Sequence, residues 1–303
     1  MKKMYFIYNP TSGKSTVNAR LFKIIDRFTK AGYDVTVRPT QMQYDARETV
    51  KRICLSDEKC DLIVCSGGDG TLNEVIHGLM VSKRKIPLGY IQTGTTNDFA
   101  KSLTIPKPIL KAADSIIDGN IFPCDIGSFN ERYFTYVAAF GAFTEVSYET
   151  PQQVKNKLGH AAYILGGLKQ LTSIKSYELT VECNDTTISG EFIYGMVSNT
   201  ASIAGLISTG DFKLDDGLYE AMLIRKPKSL GQLKSIVSSI LNIKEPINTE
   251  YVTFFKTNHV EVHAKDNMPW TIDGEFGGDD RNISIYNNTK ALDLMIKYEL
   301  KKA

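Results

Sequence analysis

The sequence predicts an α/β doubly wound N-terminal domain joined to a mainly antiparallel β-sandwich C-terminal domain. Three observations carry this. Apolar strands at residues 5–8, 62–65 and 86–91 each run into a loop of small or polar residues and then a helical pattern, the layout of a parallel sheet with crossover helices. From Phe134 onward short alternating strands take over, with few helices between them, which predicts antiparallel sheet packing. A length of 303 residues suits two such domains better than one.

In chain order, the strand Tyr5–Tyr8 leads into Asn9-Pro10-Thr11-Ser12-Gly13-Lys14-Ser15 and then a helix carrying Val17, Leu21, Ile24, Ile25 and Phe28. Gly32 closes that helix, Tyr33–Arg38 alternates as a second strand ending at Pro39-Thr40, and a polar helix spans Asp45–Leu55. The stretch Asp61–Met80 organises the rest. Leu62, Ile63, Val64 and Cys65 form the unbroken apolar run of a strand buried on both faces, and Leu72, Val75, Ile76 and Leu79 recur beyond it at helical spacing. Between them, Gly67, Gly68 and Gly70 let a ligand approach the backbone, and the start of the helix points free N–H groups at whatever sits there, so an anion is the natural occupant. Asp69 in that position calls for a cation such as Mg²⁺ between carboxylate and anion. Read alone, the turn also fits a plain connection, and it carries neither a GK[ST] ending nor a GxGxxG fingerprint.

A third unit follows: the strand Ile86–Ile91, the loop Gln92-Thr93-Gly94-Thr95-Thr96-Asn97-Asp98, a brief helix through Phe99, Ala100 and Leu103, and a helix at Ile109–Ile117. Loops at the carboxyl ends of parallel strands meet, so these three predict one nucleotide site. Lys14 reads either as a phosphate contact or as a solvated lysine. In the second half, strands are expected at Tyr177–Cys183, Phe192–Val197, Leu218–Ile224, Thr253–Phe255, Val260–Ala264, Trp270–Ile272 and Ile283–Tyr286, with a helical hairpin-like insertion at Pro151–Leu171 and a helix at Leu230–Leu241.

Composition excludes several classes. Lys+Arg of 36 against Asp+Glu of 34 is too balanced for a nucleic-acid partner. Five cysteines without a CxxC fit reduced, buried thiols rather than a disulfide framework or a zinc site. The N-terminus is too briefly apolar for a signal peptide, and no run reaches the length of a membrane span, so a cytoplasmic protein that meets lipid only peripherally is expected. A homodimer is an allowed assembly. His259 and His263, four apart, read as surface residues, and His77 and His160 have no partner visible in the sequence.

NPTSGK at 9–14, GGDGTLNEV at 67–75 and GTTNDFA at 94–100 resemble, in order, the motifs of the diacylglycerol kinase catalytic domain, in particular the soluble bacterial diacylglycerol and lipid kinases. The resemblance continues through Asp125-Ile126-Gly127, SYETP at 147–151, Lys157–Tyr163, LDDG at 214–217 and DGEFGG at 273–278, so it covers essentially the whole chain. One departure is Gln92 or Thr93 where relatives commonly carry proline. The resemblance implies a phosphofructokinase/NAD-kinase-like first domain over residues 1–127, to which 290–303 returns, and a β-rich lipid-substrate domain over 128–289.

It also implies ATP and Mg²⁺ as cofactors and γ-phosphate transfer to a diacylglycerol-like lipid at the membrane surface. Such a reaction needs held and neutralised phosphates, an aligned hydroxyl and a base. By resemblance, Asn9, Pro10, Thr11, Ser12, Gly13, Lys14, Thr40, Gly67, Gly68, Asp69, Gly70, Thr71, Leu72, Asn73, Thr95, Asn97 and Asp98 bind the nucleotide. Asp69, Asp98 and Asp125 are candidates for catalytic Mg²⁺, although a helix cap or solvated turn explains each one separately. Glu275 is favoured as the base with Asp273 in support, the reverse assignment staying open, and the two carboxylates are expected to raise one another's pKa. Lys213, Asp216 and Leu218 resemble the family's structural divalent-ion loop, against the alternative of a type I turn held by Asp216. Lys155, Lys157, Lys169 and Lys175 around an apolar helix either face anionic lipid or form a solvated face. The competing readings are a kinase for another lipid or small alcohol and, in a different class, a non-catalytic nucleotide- or lipid-binding regulator.

Overall fold

The structure, a computed structural model, describes residues 1–15, 17–95, 97–141, 175–199, 202–203, 207–208, 213–241 and 248–297. They divide into two compact units: Met1–Ile126 with Thr289–Ala303, and Gly127–Asn288.

In the first unit, β1 (Lys2–Tyr8) lies between β2 (Tyr33–Pro39) and β3 (Leu62–Gly67), and β4 (Leu88–Gln92) lies beyond β3, all parallel. The end of the last strand, β15 (Glu275–Ile296), joins this sheet beside β4 through Leu294 and Leu88. β3 and β4 are buried along their whole length, as strands covered on both faces must be. Helix α1 (Leu21–Lys30) buries Ile24 and Phe28, one turn apart on a single face. It packs against α5 (Ile109–Ile117), while α2 (Asp45–Leu55) packs against α3 (Asp69–Ser82). The carboxyl end of α2 is closed by the Arg84 guanidinium, which donates to the carbonyls of Ile53, Cys54, Ser56 and Glu58. A short helix, α4 (Asp98–Ser102), follows β4. β5 (Asn120–Phe129) pairs with β15, and the fully buried Asp125 accepts the Lys290 N–H at 2.7 Å, which ties the returning chain to this unit.

The strands of the second unit pair antiparallel. β6 (Arg132–Phe134) pairs with β5; β7 (Val137–Gly141) and β8 (Tyr177–Cys183) both lie between β9 (Thr186–Ser198) and β14 (His259–Ile272). β7 pairs with Tyr194–Ser198 of β9 and β8 with Thr186–Phe192, so the two form one strand line interrupted by residues 142–176. β10 (Ser202–Ile203) and β11 (Ile207–Ser208) form a separate small ladder. β12 (Tyr219–Arg225) joins the far side of β9, and β13 (Val252–Thr257) follows it. Phe134, just ahead of β7, and Tyr219 of β12, two strands away through β9, pack with their rings 5.6 Å apart in one buried core. Trp270 belongs to the same core, edge-on to Phe129 at 5.1 Å and to Phe140 at 4.9 Å. Helix α6 (Leu230–Leu241) covers the opposite face, where Ile236 packs with Met222, Ile224, Val252 and Phe254.

Two sequence expectations change here. Val260–Ala264 and Trp270–Ile272 belong to a single strand, because the exposed polar residues between them form a register break from His263 to Met268 rather than a turn. Ile283–Tyr286 and the terminal run likewise merge into β15, which spans the boundary between the units in sequence. No described helix is long and apolar enough to cross a membrane. All five cysteines are free thiols; burial pushes that of Cys60 up to about 11.

Candidate active-site elements

The carboxyl ends of β1, β2, β3 and β4 lie along one edge of the parallel sheet, and hydrogen bonds fasten their loops to one another. The Asn9 N–H donates to the Ser66 carbonyl (2.9 Å), the Thr40 N–H to Tyr8 (2.9 Å) and the Thr93 N–H to Gly67 (2.9 Å). The Asn9 side chain accepts the Thr11 N–H and hydroxyl at 2.9 and 2.8 Å, so it shapes its own turn, and its amide points to the Thr71 hydroxyl at 3.5 Å. Thr93 and Ser12 share a hydroxyl contact at 3.1 Å. Gly13 has φ +56°, and a methyl there would sit 1.9 Å from the Thr93 carbonyl oxygen; one on Gly94 would sit 2.5 Å from the Gly68 Cα. The loops touch backbone to backbone, which only glycine permits at these positions.

Helix α3 starts on this edge. Gly68 is its extended N-cap and supplies no side-chain cap, which leaves the N–H groups of Asp69, Gly70 and Thr71 at the first turn; that of Leu72 already donates to the Gly68 carbonyl. The Leu72 side chain is buried in the core. Glu74, in the same motif, spans from α3 to the start of α2, accepting the N–H groups of Tyr44 (2.9 Å) and Ala46 (3.1 Å). Its charge also suits the positive end of α2. Glu74→Ala is expected to destabilise the chain by about 1–2 kcal/mol, as loss of a helix cap does, measured as a lower urea midpoint with unchanged slope.

Asn97 does not cap α4 with its side chain. It clasps its own loop instead, its Oδ1 accepting the Gly94 N–H (3.0 Å) and its Nδ2 donating to the Gly94 carbonyl (2.6 Å). Sequence reading missed two residues that hold this arrangement. The buried Tyr90 hydroxyl lies 3.1 Å from the Gly67 carbonyl and 3.3 Å from Asn97 Oδ1, bridging the β3 and β4 loops. Ser66, next to last in β3, accepts the Asn9 N–H through its carbonyl, and its buried hydroxyl has no hydrogen-bond partner among the described residues. A strand-end aromatic flanked by two glycine loops is the only signal that pointed to Tyr90. Beside these loops opens a cleft of about 570 Å³, lined by Thr93, Gly94, Thr95 and Asn97 and by the cationic Arg20, Lys101, Lys107 and Lys111.

In the second unit, Asp273-Gly274 forms a two-residue hairpin turn between β14 and β15, with φ of +50° and +84° and Ile272 paired to Glu275. The Asp273 carboxylate turns back onto the β6–β7 connection. Oδ2 accepts the Thr135 N–H (2.7 Å) and hydroxyl (2.9 Å), and Oδ1 accepts the N–H groups of Tyr136 (3.0 Å) and Val137 (3.1 Å). Burial pushes its carboxyl above the usual carboxylate range, while the three backbone donors pull the other way. Glu275 is exposed. The two carboxylates are placed differently: that of Asp273 is engaged by the fold, because a left-handed Asp-Gly turn aims it at a nest of N–H groups, and Glu275 is exposed.

Asp216 accepts the Leu218 N–H at 3.1 Å, within a turn bounded by Lys213 and Leu218. His259 stacks on Tyr286 at 4.0 Å and bonds Glu261 through Nε2 (2.7 Å), and His263 meets Asn282 (3.1 Å). The Lys175 ammonium sits 5.2 Å over the Tyr177 ring. SYETP, Lys155, Lys157–Tyr163 with His160, Lys169, the Pro151–Leu171 hairpin, Thr96 and the side chains of Lys14 and Asp98 lie outside the described residues.

Comparison with known proteins places these elements in a lineage. Residues 3–129 match the diacylglycerol kinase catalytic domain. The chain is 37% identical over 280 residues to a diacylglycerol kinase of Bacillus subtilis, covering 92% of this chain and 91% of that one. It is 35% identical over 280 residues to one of Staphylococcus carnosus, covering 91% and 90%. A crystal structure of a diacylglycerol kinase from Bacillus anthracis shares the fold, with TM-score 0.75, 22% identity and coverage of 98% of this chain and 97% of that one. Identity of this order along nearly the full length of both proteins leaves one assignment: the chain belongs to the diacylglycerol kinase family.

Proposed function

We propose that this chain is an ATP-dependent lipid kinase, transferring the γ-phosphate of ATP to the hydroxyl of diacylglycerol to give phosphatidic acid. The observation that carries the proposal is the convergence of the Asn9–Gly13, Gly67–Thr71 and Thr93–Asn97 loops on one strand edge, fastened backbone to backbone around the uncapped start of α3. First-turn N–H groups and glycine backbone are what a polyphosphate requires, and the four cations around the adjoining cleft supply charge of the right sign. The unpartnered Ser66 hydroxyl is a further donor at that edge. Strand order β2-β1-β3-β4, with its reversal at β1, supports reading this unit as doubly wound and phosphofructokinase/NAD-kinase-like, and the antiparallel strands of the other, with two buried apolar clusters, support a sandwich there.

Asp69, at the first position of α3, would hold a Mg²⁺ that accompanies the nucleotide, with Asp98 as a second candidate. When bound, that ion would neutralise charge building on the transferred phosphate. The buried Asp125 holds the returning chain through Oδ1 and is the third carboxylate candidate for that ion. Glu275 takes the proton of the acceptor hydroxyl as its oxygen bonds to the γ-phosphorus and ADP leaves, and Asp273 fixes the turn that presents Glu275. Lys213, Asp216 and Leu218 would hold a structural divalent cation, through the Asp216 carboxylate and the backbone carbonyls of the other two. The chain is read as cytoplasmic, meeting its lipid at the inner face of the membrane.

The test is transfer of phosphate from ATP to diacylglycerol in mixed micelles, parent against Asp69→Ala. Turnover by the parent and near-total loss in the variant are expected. Turnover on a different alcohol but not on diacylglycerol would sink the substrate assignment, and no turnover on any alcohol together with retained ATP binding would favour a regulator.

A further inference from the structure

Tyr136 lies in the connection between β6 and β7, and it meets the hairpin that carries Glu275 at two points. Its N–H donates to Asp273 Oδ1 at 3.0 Å, while the Asp273 N–H returns to the Val137 carbonyl at 2.9 Å. Its side chain reaches the next residue of the turn: a methyl on Gly274 would sit 3.3 Å from the Tyr136 hydroxyl. Chain neighbours aside, that methyl would meet no other atom of the described residues within 4 Å. The phenol oxygen thus borders one face of the turn, and the space beside it is open. Gly274 and Glu275 are exposed and Tyr136 is half-buried, so this space is reached from outside.

The root of the side chain is fixed. The Tyr136 carbonyl accepts the Ser198 hydroxyl and the Asn199 N–H, each at 2.9 Å, and the next residue, Val137, pairs with Ser198 in β9. A substrate alcohol that gives its proton to Glu275 must come to rest beside this turn. An ionised carboxylate accepts that proton but has no donor to offer in return. The alcohol oxygen carries two lone pairs, of which one attacks phosphorus. A donor anchored to the frame and bonded to the other would aim the first, and orientation of this kind is a large part of what a phosphoryl-transfer site supplies.

We propose that Tyr136 binds the acceptor alcohol, its hydroxyl donating a hydrogen bond to the oxygen that attacks the γ-phosphorus while Glu275 receives the proton. The inference rests on Glu275 as the base. The phenol keeps its own proton throughout. The one proton that moves goes from the alcohol to Glu275, and the new O–P bond forms as the bond to ADP breaks.

The test is steady-state kinetics of the full chain with ATP and diacylglycerol in mixed micelles, beside urea unfolding. Tyr136→Phe keeps the ring and removes only the hydroxyl. It is expected to lower kcat/KM for diacylglycerol about tenfold, with the KM for ATP and the urea midpoint unchanged. The acidic limb of the pH profile of kcat/KM reports the base, so a donor to the alcohol leaves that limb where it is. A parent-like kcat/KM for diacylglycerol in Tyr136→Phe, with Glu275→Gln inactive, overturns the role of Tyr136 and leaves the base standing. A fall accompanied by a lower urea midpoint or a displaced acidic limb makes Tyr136 a support of the turn or of the carboxylate, and overturns the proposal as well. Parent-like turnover by Glu275→Gln removes the base and this inference with it, and no turnover by the parent on diacylglycerol or any other alcohol overturns the kinase reading itself.

Discussion

Glu275→Gln is expected to lower kcat by about 10²–10⁴-fold while leaving the unfolding free energy within about 0.5 kcal/mol of the parent. The first figure follows from removing a proton acceptor while keeping the shape of the side chain. The second follows from exposure, since Glu275 lies at the surface just past a hairpin turn. Asp273→Asn, two residues away, is expected to behave differently. Its four donors are divided two and two between the carboxylate oxygens. Whichever way the amide is turned, its NH₂ group faces two donors, leaving a pair of buried N–H or O–H groups unsatisfied at about 1–3 kcal/mol each. Asp273→Asn should therefore lower both stability and activity, whereas Glu275→Gln lowers activity alone. Denaturant unfolding beside steady-state kinetics separates the two. If Asp273→Asn is as stable as the parent, the clamp is wrong; if Glu275→Gln keeps its kcat, the base lies elsewhere.

That contrast also shows what was legible in the sequence. Asp273-Gly274 has the left-handed signature of a tight hairpin, and the neighbouring glutamate was visible as a candidate base, but nothing local says that the aspartate turns inward. The donors come from Thr135, Tyr136 and Val137, more than a hundred residues earlier in the chain, and only tertiary structure brings them there. The loops of the first unit were easier, because each is written next to its own strand and parallel topology puts all carboxyl ends on one edge. The residues that brace them were not. Tyr90 reads as one more apolar strand position, and Glu74 as a helix-surface acid, until the acceptor and donor across the gap are known. Strand limits failed for a related reason. Polar residues at 265–267 read as a turn, yet pairing with β15 carries the strand past them.

Gly13→Ala is expected to raise the KM for ATP at least tenfold, which at about 1.4 kcal/mol per decade is a modest demand on the clash it creates. The new methyl would lie 1.9 Å from the Thr93 carbonyl oxygen, and that segment cannot drift away, because the Thr93 N–H is bonded to Gly67 at 2.9 Å. The β1 and β4 loops must then part, and with them the surface proposed to hold the phosphates. A positive φ adds about 1 kcal/mol of backbone strain for any residue with a Cβ, so stability falls as well. Gly32 separates these effects. It too has a left-handed φ, +88°, but a methyl there meets nothing within 4 Å, and its carbonyl pairs with Lys2 at the amino end of β1, the far edge of the sheet. Gly32→Ala should show the strain alone: a small loss of stability and an unchanged KM for ATP. Gly94→Ala, with its methyl 2.5 Å from the Gly68 Cα, should follow Gly13→Ala. If Gly13→Ala and Gly32→Ala lose stability alike and both keep the parent KM, the meeting of the loops is only architecture and the nucleotide binds elsewhere.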